Sequence, residues 1–216
     1  MAIHLHPTAK LAPRALLPGD PGRALTLAQL LLDDPRMFNH ARGLWGYTGV
    51  AADGEPLTIQ ATGIGGASTA AVLEDLAGLG LEVALRVGTC RADGSATALG
   101  AILIVGHAIA KDGVSIAANL TRVQPDPELA GDAVVVSRDR LPPGPTLEAP
   151  VADRTTAPFL AVARQLGLRC GAVLAVTSDA VGARLDEEAL LAAEHALGHT
   201  AAKLLGLPVG RASEAA

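Results

Sequence analysis

Aromatic side chains are almost absent from this chain: two Phe, one Trp and one Tyr make up 2% of 216 residues. Phe38, Trp45, Tyr47 and Phe159 are therefore the whole supply for stacking a planar ring. Cysteine is scarce too. Cys90 and Cys170 have neither metal-ligand spacing nor the numbers for a disulfide framework, which suits a reducing compartment. Positive charge is in the minority: 17 Lys and Arg stand against 22 Asp and Glu, for a net charge of −5. That balance excludes a general basic surface for nucleic acid and favours a small-molecule partner. Residues 1–10 carry His and Pro and no apolar stretch of a signal peptide. The two long uncharged runs, 56–73 and 94–110, are broken by Gly, Thr, Ser or His and read as strand, turn and helix start rather than membrane spans. The expectation is a soluble, cytoplasmic protein that binds no membrane.

What is abundant is apolar: 50% of the residues, much of it Ala and Leu. The length fits one α/β domain over residues 1–216, with a substantial core. The expected fold is a three-layer α/β/α sandwich on a mixed, mostly parallel sheet, because apolar strands alternate with helical stretches. No internal repeat is visible.

Along the chain, Ala15-Leu16-Leu17 is a short strand ending in the turn Pro18–Gly22, and Arg23 opens a helix to about Leu32. A strand, a glycine turn and a helix start make an anion cradle from backbone amides, with Arg23 adding charge; a plain turn with a solvated Arg has the same signature. Residues 39–50 read as a strand or hairpin, with Arg42 as an edge cation or anion ligand. Residues 57–62 form the next strand, and Gly63-Ile64-Gly65-Gly66 leads into a helix from Ser68 to about Leu79. Ser68 is its expected N-cap, Glu74 and Asp75 lie on its exposed face, and Gly80 closes it. The glycines do not form a dinucleotide fingerprint, since Ser68 falls where the third is needed.

The central stretch is Leu85-Arg86-Val87-Gly88-Thr89-Cys90: a basic residue on an apolar strand, then an expected tight Gly-Thr turn. A guanidinium, a hydroxyl and turn amides can surround one small anion at the end of a sheet. Further strands follow at 101–105, 133–136 and 171–176, the last leading into Thr177-Ser178-Asp179. A Pro-rich surface loop covers 142–150, and helices cover 157–166 and roughly 186–205. The last of these is expected to bury Leu190, Leu191, Leu197 and Leu204 on one side. His195 and His199 share a helix face, but no third ligand is placed, so no metal site is expected. Ser68, Ser137 and Ser178 show no nucleophile elbow, and Cys90 has no base placed beside it.

Five motifs occur here in one order: Leu17-Pro18-Gly19-Asp20-Pro21-x-Arg23, Asn39-x-x-Arg42-Gly43-x-x-Gly46-Tyr47-Thr48-Gly49, Thr62-Gly63-Ile64-Gly65-Gly66-x-Ser68, Arg86-Val87-Gly88-Thr89-Cys90 and Thr177-Ser178-Asp179. Together, over Ile3 to Leu205, they resemble the purine nucleoside phosphorylase and uridine phosphorylase family, in its trimeric-to-hexameric branch. The resemblance implies that Gly19, Arg23, Arg86 and Thr89 hold inorganic phosphate, a co-substrate, with no other cofactor. It implies that Arg42 reaches the neighbouring subunit's phosphate, that His4 reaches the 5′ side of the sugar across the interface, and that Ile64 lies under the ribose. Asp179 is then the general acid at N7 of a purine, beside Ser178, with Arg184 or His195 as its helper. A homo-oligomer follows, a dimer at least and by resemblance a hexamer.

The nucleoside half departs from the family pattern. A Met-Glu pair that grips the ribose is replaced at Asp153-Arg154-Thr155-Thr156-Ala157, where Arg154 and Thr155 stand in its place. Asp153 is the nearest substitute carboxylate. A Ser-x-Asp-x-Phe-Tyr motif reads Ser137-Arg138-Asp139-Arg140-Leu141-Pro142, so Leu141 packs where a ring would stack. Cys90 is followed by Arg91 rather than Gly; that side chain either turns to solvent, narrows the base pocket or meets an anionic group. Three readings stay open: phosphorolysis of a purine-type, possibly modified nucleoside; hydrolysis by a nucleosidase; or a catalytically weak relative that binds a phosphorylated ligand or a partner subunit.

Overall fold

Alternation along two neighbouring strands sets the layers. In β1 (Arg14–Pro18), Ala15 and Leu17 enter one core while Leu16 enters another; in β5 (Val83–Ala92), Ala84, Cys90 and Ala92 share the first core while Leu85 and Val87 share the second. Side chains alternate across a pleated strand, so a strand covered on both faces reads as an unbroken apolar run with two destinations. The computed structural model describes residues 2–94, 96–120, 132–145 and 148–208.

One face is covered by α2 (Gly65–Gly78) and α3 (Thr156–Gln165), through Val72, Leu73, Leu76, Phe159 and Leu160. The other is covered by α1 (Pro21–Leu31) and α4 (Glu187–Leu204), through Ala24, Leu27, Ala28, Leu197 and Ala201. Gly198 lets α4 lie close on α1, since a Cβ there would stand 2.7 Å from Leu27 Cδ2. The three-layer expectation is met.

Among the described residues the sheet has ten strands. The others are β2 (Asp33–Asn39), β3 (Gly46–Val50), β4 (Pro56–Gln60), β6 (Ile102–Ile109), β7 (Ser115–Ala117), β8 (Ala133–Ser137), β9 (Val151–Asp153) and β10 (Arg169–Asp179). β4, β1, β5 and β10 run parallel in that order, and β3 and β2 extend the β4 edge antiparallel. β5, β9, β8, β6 and β10 pair successively, and β10 returns to β5, so this half closes on itself.

Several local expectations are corrected. β5 continues as strand through Ala92, so Gly88 and Thr89 form no turn; pairing with β10 up to Asp179 holds them extended. Helix α2 begins at Gly65, and Ser68 is not its cap: its hydroxyl donates to the Thr62 carbonyl at 2.6 Å. Asp75 is buried rather than exposed, because it accepts the amides of Ile3, His4 and Leu5 at 2.9, 2.6 and 2.8 Å. Leu191 faces solvent, and Ala193, Leu197, Gly198, Ala201, Ala202 and Leu204 form the buried stripe of α4. Residues 33–39 form an additional edge strand, which pairs with β3 around the Ala41–Gly43 turn.

Candidate active site

A cavity of about 470 Å³ opens at the carboxyl ends of the parallel strands β1, β4, β5 and β10. This is the end at which the loops of an open parallel sheet diverge and leave room for a ligand. The loops after β1 and β4 meet there: Thr62 N donates to the Pro18 carbonyl at 2.8 Å, and a Cβ on Gly19 would lie 3.1 Å from the Gly63 carbonyl. Gly63 has φ of +75°, and a Cβ there would stand 2.5 Å from Ser68 Oγ, so this turn requires glycine.

Eleven of the expected residues line this cavity: Gly19, Arg23, Ile64, Arg86, Thr89, Cys90, Arg91, Leu141, Arg154, Thr155 and Ser178. Asp20, Gly88, Asp153 and Thr177 line it as well. Three do not. Arg42 is exposed on the turn between β2 and β3, with φ of +58°, and His4 lies half-buried near the N-terminus. Asp179 sits against a neighbouring hollow with Ala92, Asp93, Gly94, Pro145 and Val181. Its Oδ1 accepts the amides of Val181 and Ala183 at 3.0 and 2.8 Å, a bracing role within its own turn. Among the described residues it makes no ion pair with Arg184 or His195.

The two helix starts at the cavity differ. In α1, Asp20 is the N-cap and its Oδ1 accepts the Arg23 amide at 2.7 Å, so part of the expected amide cradle is already occupied by a carboxylate. In α2 the N-cap is Ile64, which supplies no side-chain acceptor, and Gly63, Ile64 and Gly65 all line the cavity. The positive end of α2 is therefore the uncapped one.

Each buried guanidinium in the wall carries a carboxylate. Arg23 Nε donates to Glu194 Oε1 at 2.9 Å, from α4. Arg86 Nη2 donates to Asp153 Oδ2 at 3.1 Å, and its Nε to Thr156 Oγ1 at 3.0 Å. Burial lowers the Arg86 pKa, Asp153 raises it again, and the charge of Arg23 lowers it further. Arg91 is buried rather than solvated. Its Nη2 donates to Asp93 Oδ1 at 2.6 Å and to the Gly144 carbonyl at 3.0 Å, and its Nη1 to the Pro142 carbonyl at 2.6 Å. The anionic group it meets is the protein's own, and the side chain pins the loop that carries Leu141 over the cavity.

Arg154 is exposed, whereas Asp153 is 3% exposed and Thr155 5%. Asp153 accepts from Ser137 Oγ at 2.5 Å, Thr156 Oγ1 at 2.6 Å and Thr156 N at 3.0 Å besides Arg86. Glu194 and Asp93 went unread in the sequence: Glu194 meets Arg23 from 171 positions away, and nothing local marks Asp93 as the buried partner of Arg91 two positions before it. Burial, followed by the charge of Asp153, pushes the Cys90 thiol far up, so Cys90 stays protonated. No group of three His, Cys, Asp or Glu able to hold a metal occurs among the described residues, and no helix among them is long and apolar enough to cross a membrane.

A DeoD-type purine nucleoside phosphorylase of Oceanobacillus iheyensis is 37% identical over 94 residues, which cover 43% of this chain and 40% of that protein. A uridine phosphorylase of Haemophilus influenzae is 38% identical over 106 residues, 49% of this chain and 41% of that protein. The chain thus spans about two fifths of the length of the curated relatives it matches. Two solved structures share the fold over nearly the whole chain. A uridine phosphorylase of Vibrio fischeri gives a TM-score of 0.76 at 21% identity, covering 91% of this chain and 92% of that one. A purine nucleoside phosphorylase of Toxoplasma gondii gives 0.75 at 19%, covering 95% and 96%. The profile of the Phosphorylase superfamily matches residues 13–141, from β1 through Leu141 at the cavity rim, and the chain belongs to that family.

Proposed function

We propose that the cavity cleaves the N-glycosidic bond of a purine-type nucleoside, plain or modified, with inorganic phosphate. An oxygen of phosphate bonds to the anomeric carbon, the bond from that carbon to the base nitrogen breaks, and the base takes up a proton. The products are the free base and a pentose 1-phosphate. The observation that carries this reading is that Arg23 and Arg86, 63 positions apart in sequence, line one hollow together with Gly19 and Thr89. Two guanidiniums lining one hollow can share an oxyanion there in addition to the carboxylate each already holds. An oriented oxyanion also favours the positive charge that grows on the sugar as the base departs.

Asp179 is the proton donor in this reading. Its Oδ1 is committed to the 181 and 183 amides, so Oδ2 carries the proton, and because Asp179 lines the neighbouring hollow its turn must move toward the cavity when a base is in place. Arg42 and His4 act on a second subunit. Supporting this, Asn39 ties their segments together: its Oδ1 accepts the His6 amide at 2.8 Å and its Nδ2 donates to the Leu44 carbonyl at 2.6 Å, flanking the Arg42 turn. Ile3, Met37 and Trp45, from those same segments, are 71%, 40% and 42% exposed, apolar surface that a second copy can cover.

Hydrolysis is the second reading, favoured by one observation: Arg23, Arg86 and Arg91 already carry carboxylates, which lessens the pull on a dianion. Inosine, adenosine, guanosine and uridine, each given with and without phosphate, decide between them. Phosphate-dependent release of base with pentose 1-phosphate supports phosphorolysis. Phosphate-independent release of free pentose overturns it in favour of hydrolysis. Binding without turnover overturns both.

A further inference from the structure

We propose that Asp153 is a positioning residue for Arg86, holding its guanidinium in one orientation and balancing its charge until an oxyanion binds. This rests on the cavity being an oxyanion site. Arg86 and Asp153 are 4% and 3% exposed, so neither charge is answered by water, and each is answered by the other. Both Asp153 oxygens are spent. Oδ1 takes the Ser137 hydroxyl; Oδ2 takes Arg86 Nη2 and the Thr156 hydroxyl; the Thr156 amide, at the start of α3, lies 3.2 and 3.0 Å from the two. A carboxylate so filled has no lone pair left for a sugar diol, which removes it as a substitute for a ribose-gripping glutamate.

The guanidinium is correspondingly fixed. Nη2 is held by Asp153 and Nε by Thr156, while Gly88 leaves open the space beside the guanidinium where a Cβ would stand 2.5 Å from Nη2 and 2.7 Å from Cζ. Nη1 is the remaining edge. It makes no hydrogen bond to a described residue, and it is not among the sealed, unpartnered polar atoms, of which Gln60 Oε1 is the one found among those residues. Since Arg86 lines the cavity, Nη1 is the edge it offers there. Asp153 thereby both aims Arg86 and opposes the approach of a second anion.

Removing its charge has opposite effects on binding and turnover. In D153N the purified full chain binds phosphate about tenfold more tightly by titration calorimetry, because the anion supplies the missing countercharge. Turnover falls about tenfold, because Nη1 is no longer aimed. The thermal midpoint of D153N drops in phosphate-free buffer and recovers with phosphate by more than the wild-type shift. A role confined to folding would lower the midpoint and leave the phosphate affinity unchanged, and that outcome overturns the proposal, as does weaker phosphate binding. If D153N does not fold, T156V provides the test: it removes the hydroxyl that accepts from Arg86 Nε and donates to Asp153 Oδ2, keeps the ion pair, and should lower kcat severalfold with the phosphate KM within about twofold. Unchanged kcat in T156V overturns the proposal. If phosphate neither binds nor shifts the midpoint of wild type, the oxyanion reading fails instead; equal binding to wild type and D153N sinks only the role of Asp153.

Discussion

A methyl group on Gly88 would stand 2.5 Å from Nη2 of Arg86 and 2.7 Å from Cζ, while its other near neighbour, Leu174 Cδ2, lies 3.1 Å away. The strand gives up a side chain at this point, and the Arg86 guanidinium takes the space a Cβ would need. G88A therefore acts first on Arg86. Relief comes by swinging the guanidinium off Asp153 or by shifting β5 against β10, and overpacking of this kind costs about 1–3 kcal/mol. The expected result is a phosphate affinity at least about tenfold weaker with the fold retained, read by calorimetry and circular dichroism. Wild-type affinity in G88A would mean that Arg86 has room to spare.

Glu194 is the counterpart for Arg23. The pair joins the start of α1 to α4, and the two side chains are 10% and 14% exposed. Replacing Glu194 with Gln keeps the shape and leaves a mostly buried cation unanswered, at a cost of about 3 kcal/mol in phosphate-free buffer. Phosphate should return part of that loss. Chemical denaturation with and without phosphate measures both; equal losses in the two buffers would remove Arg23 from any oxyanion site.

The layers were legible because β1 and β5 carry apolar residues on both faces, a pattern that only a covered, mostly parallel strand requires. That Arg23, Arg86 and Thr89 share one hollow was legible for a related reason: polar groups at a helix start just after an apolar strand, or within such a strand, need a destination. The partners of those groups were not. Glu194 and Asp153 are 171 and 67 positions from the arginines they meet, and nothing local in either segment marks a carboxylate that will be buried. Asp75 misled in the opposite direction, since helical periodicity puts it outward while the N-terminal chain folds back to cover it. Gly88 misled as well: a Gly-Thr pair is a turn signal in isolation, and here it is a strand relieved of its side chain to accommodate Arg86.

Asp75 makes a pH-dependent contribution to stability. Burial pushes its pKa up, yet the amides of Ile3, Leu5 and His4 outweigh this and hold it below its ordinary 3.8. A folded-state pKa below the unfolded one means that the contribution is complete above the unfolded value and is lost as pH falls through the folded value. The stability difference between wild type and D75N should accordingly be constant from neutral pH down to about pH 5 and shrink as pH falls below about 4. D75N should also release residues 3–5, and with them His4. A constant difference across the acid range would show that the three amide bonds do not depend on the charge.

Under the proposed function Asp179 carries two separable demands. Its Oδ1 braces the 180–183 turn, whose loss costs stability, and its proposed role as proton donor to the leaving base is one whose loss costs rate. D179N keeps an oxygen able to accept the two amides, so its stability should stay within about 1 kcal/mol of wild type, the size of one ordinary hydrogen bond. An amide cannot deliver the proton, and general acid catalysis is worth about 10²–10⁴ in rate. Turnover of inosine by D179N should therefore fall at least about a hundredfold, and the limb of the wild-type pH–rate profile that reports an acid should disappear. D179A should lose stability as well as rate. If D179N keeps the wild-type rate, Asp179 is a brace alone, and the proton reaches the base from the cavity side, where Ser178 and Thr177 stand.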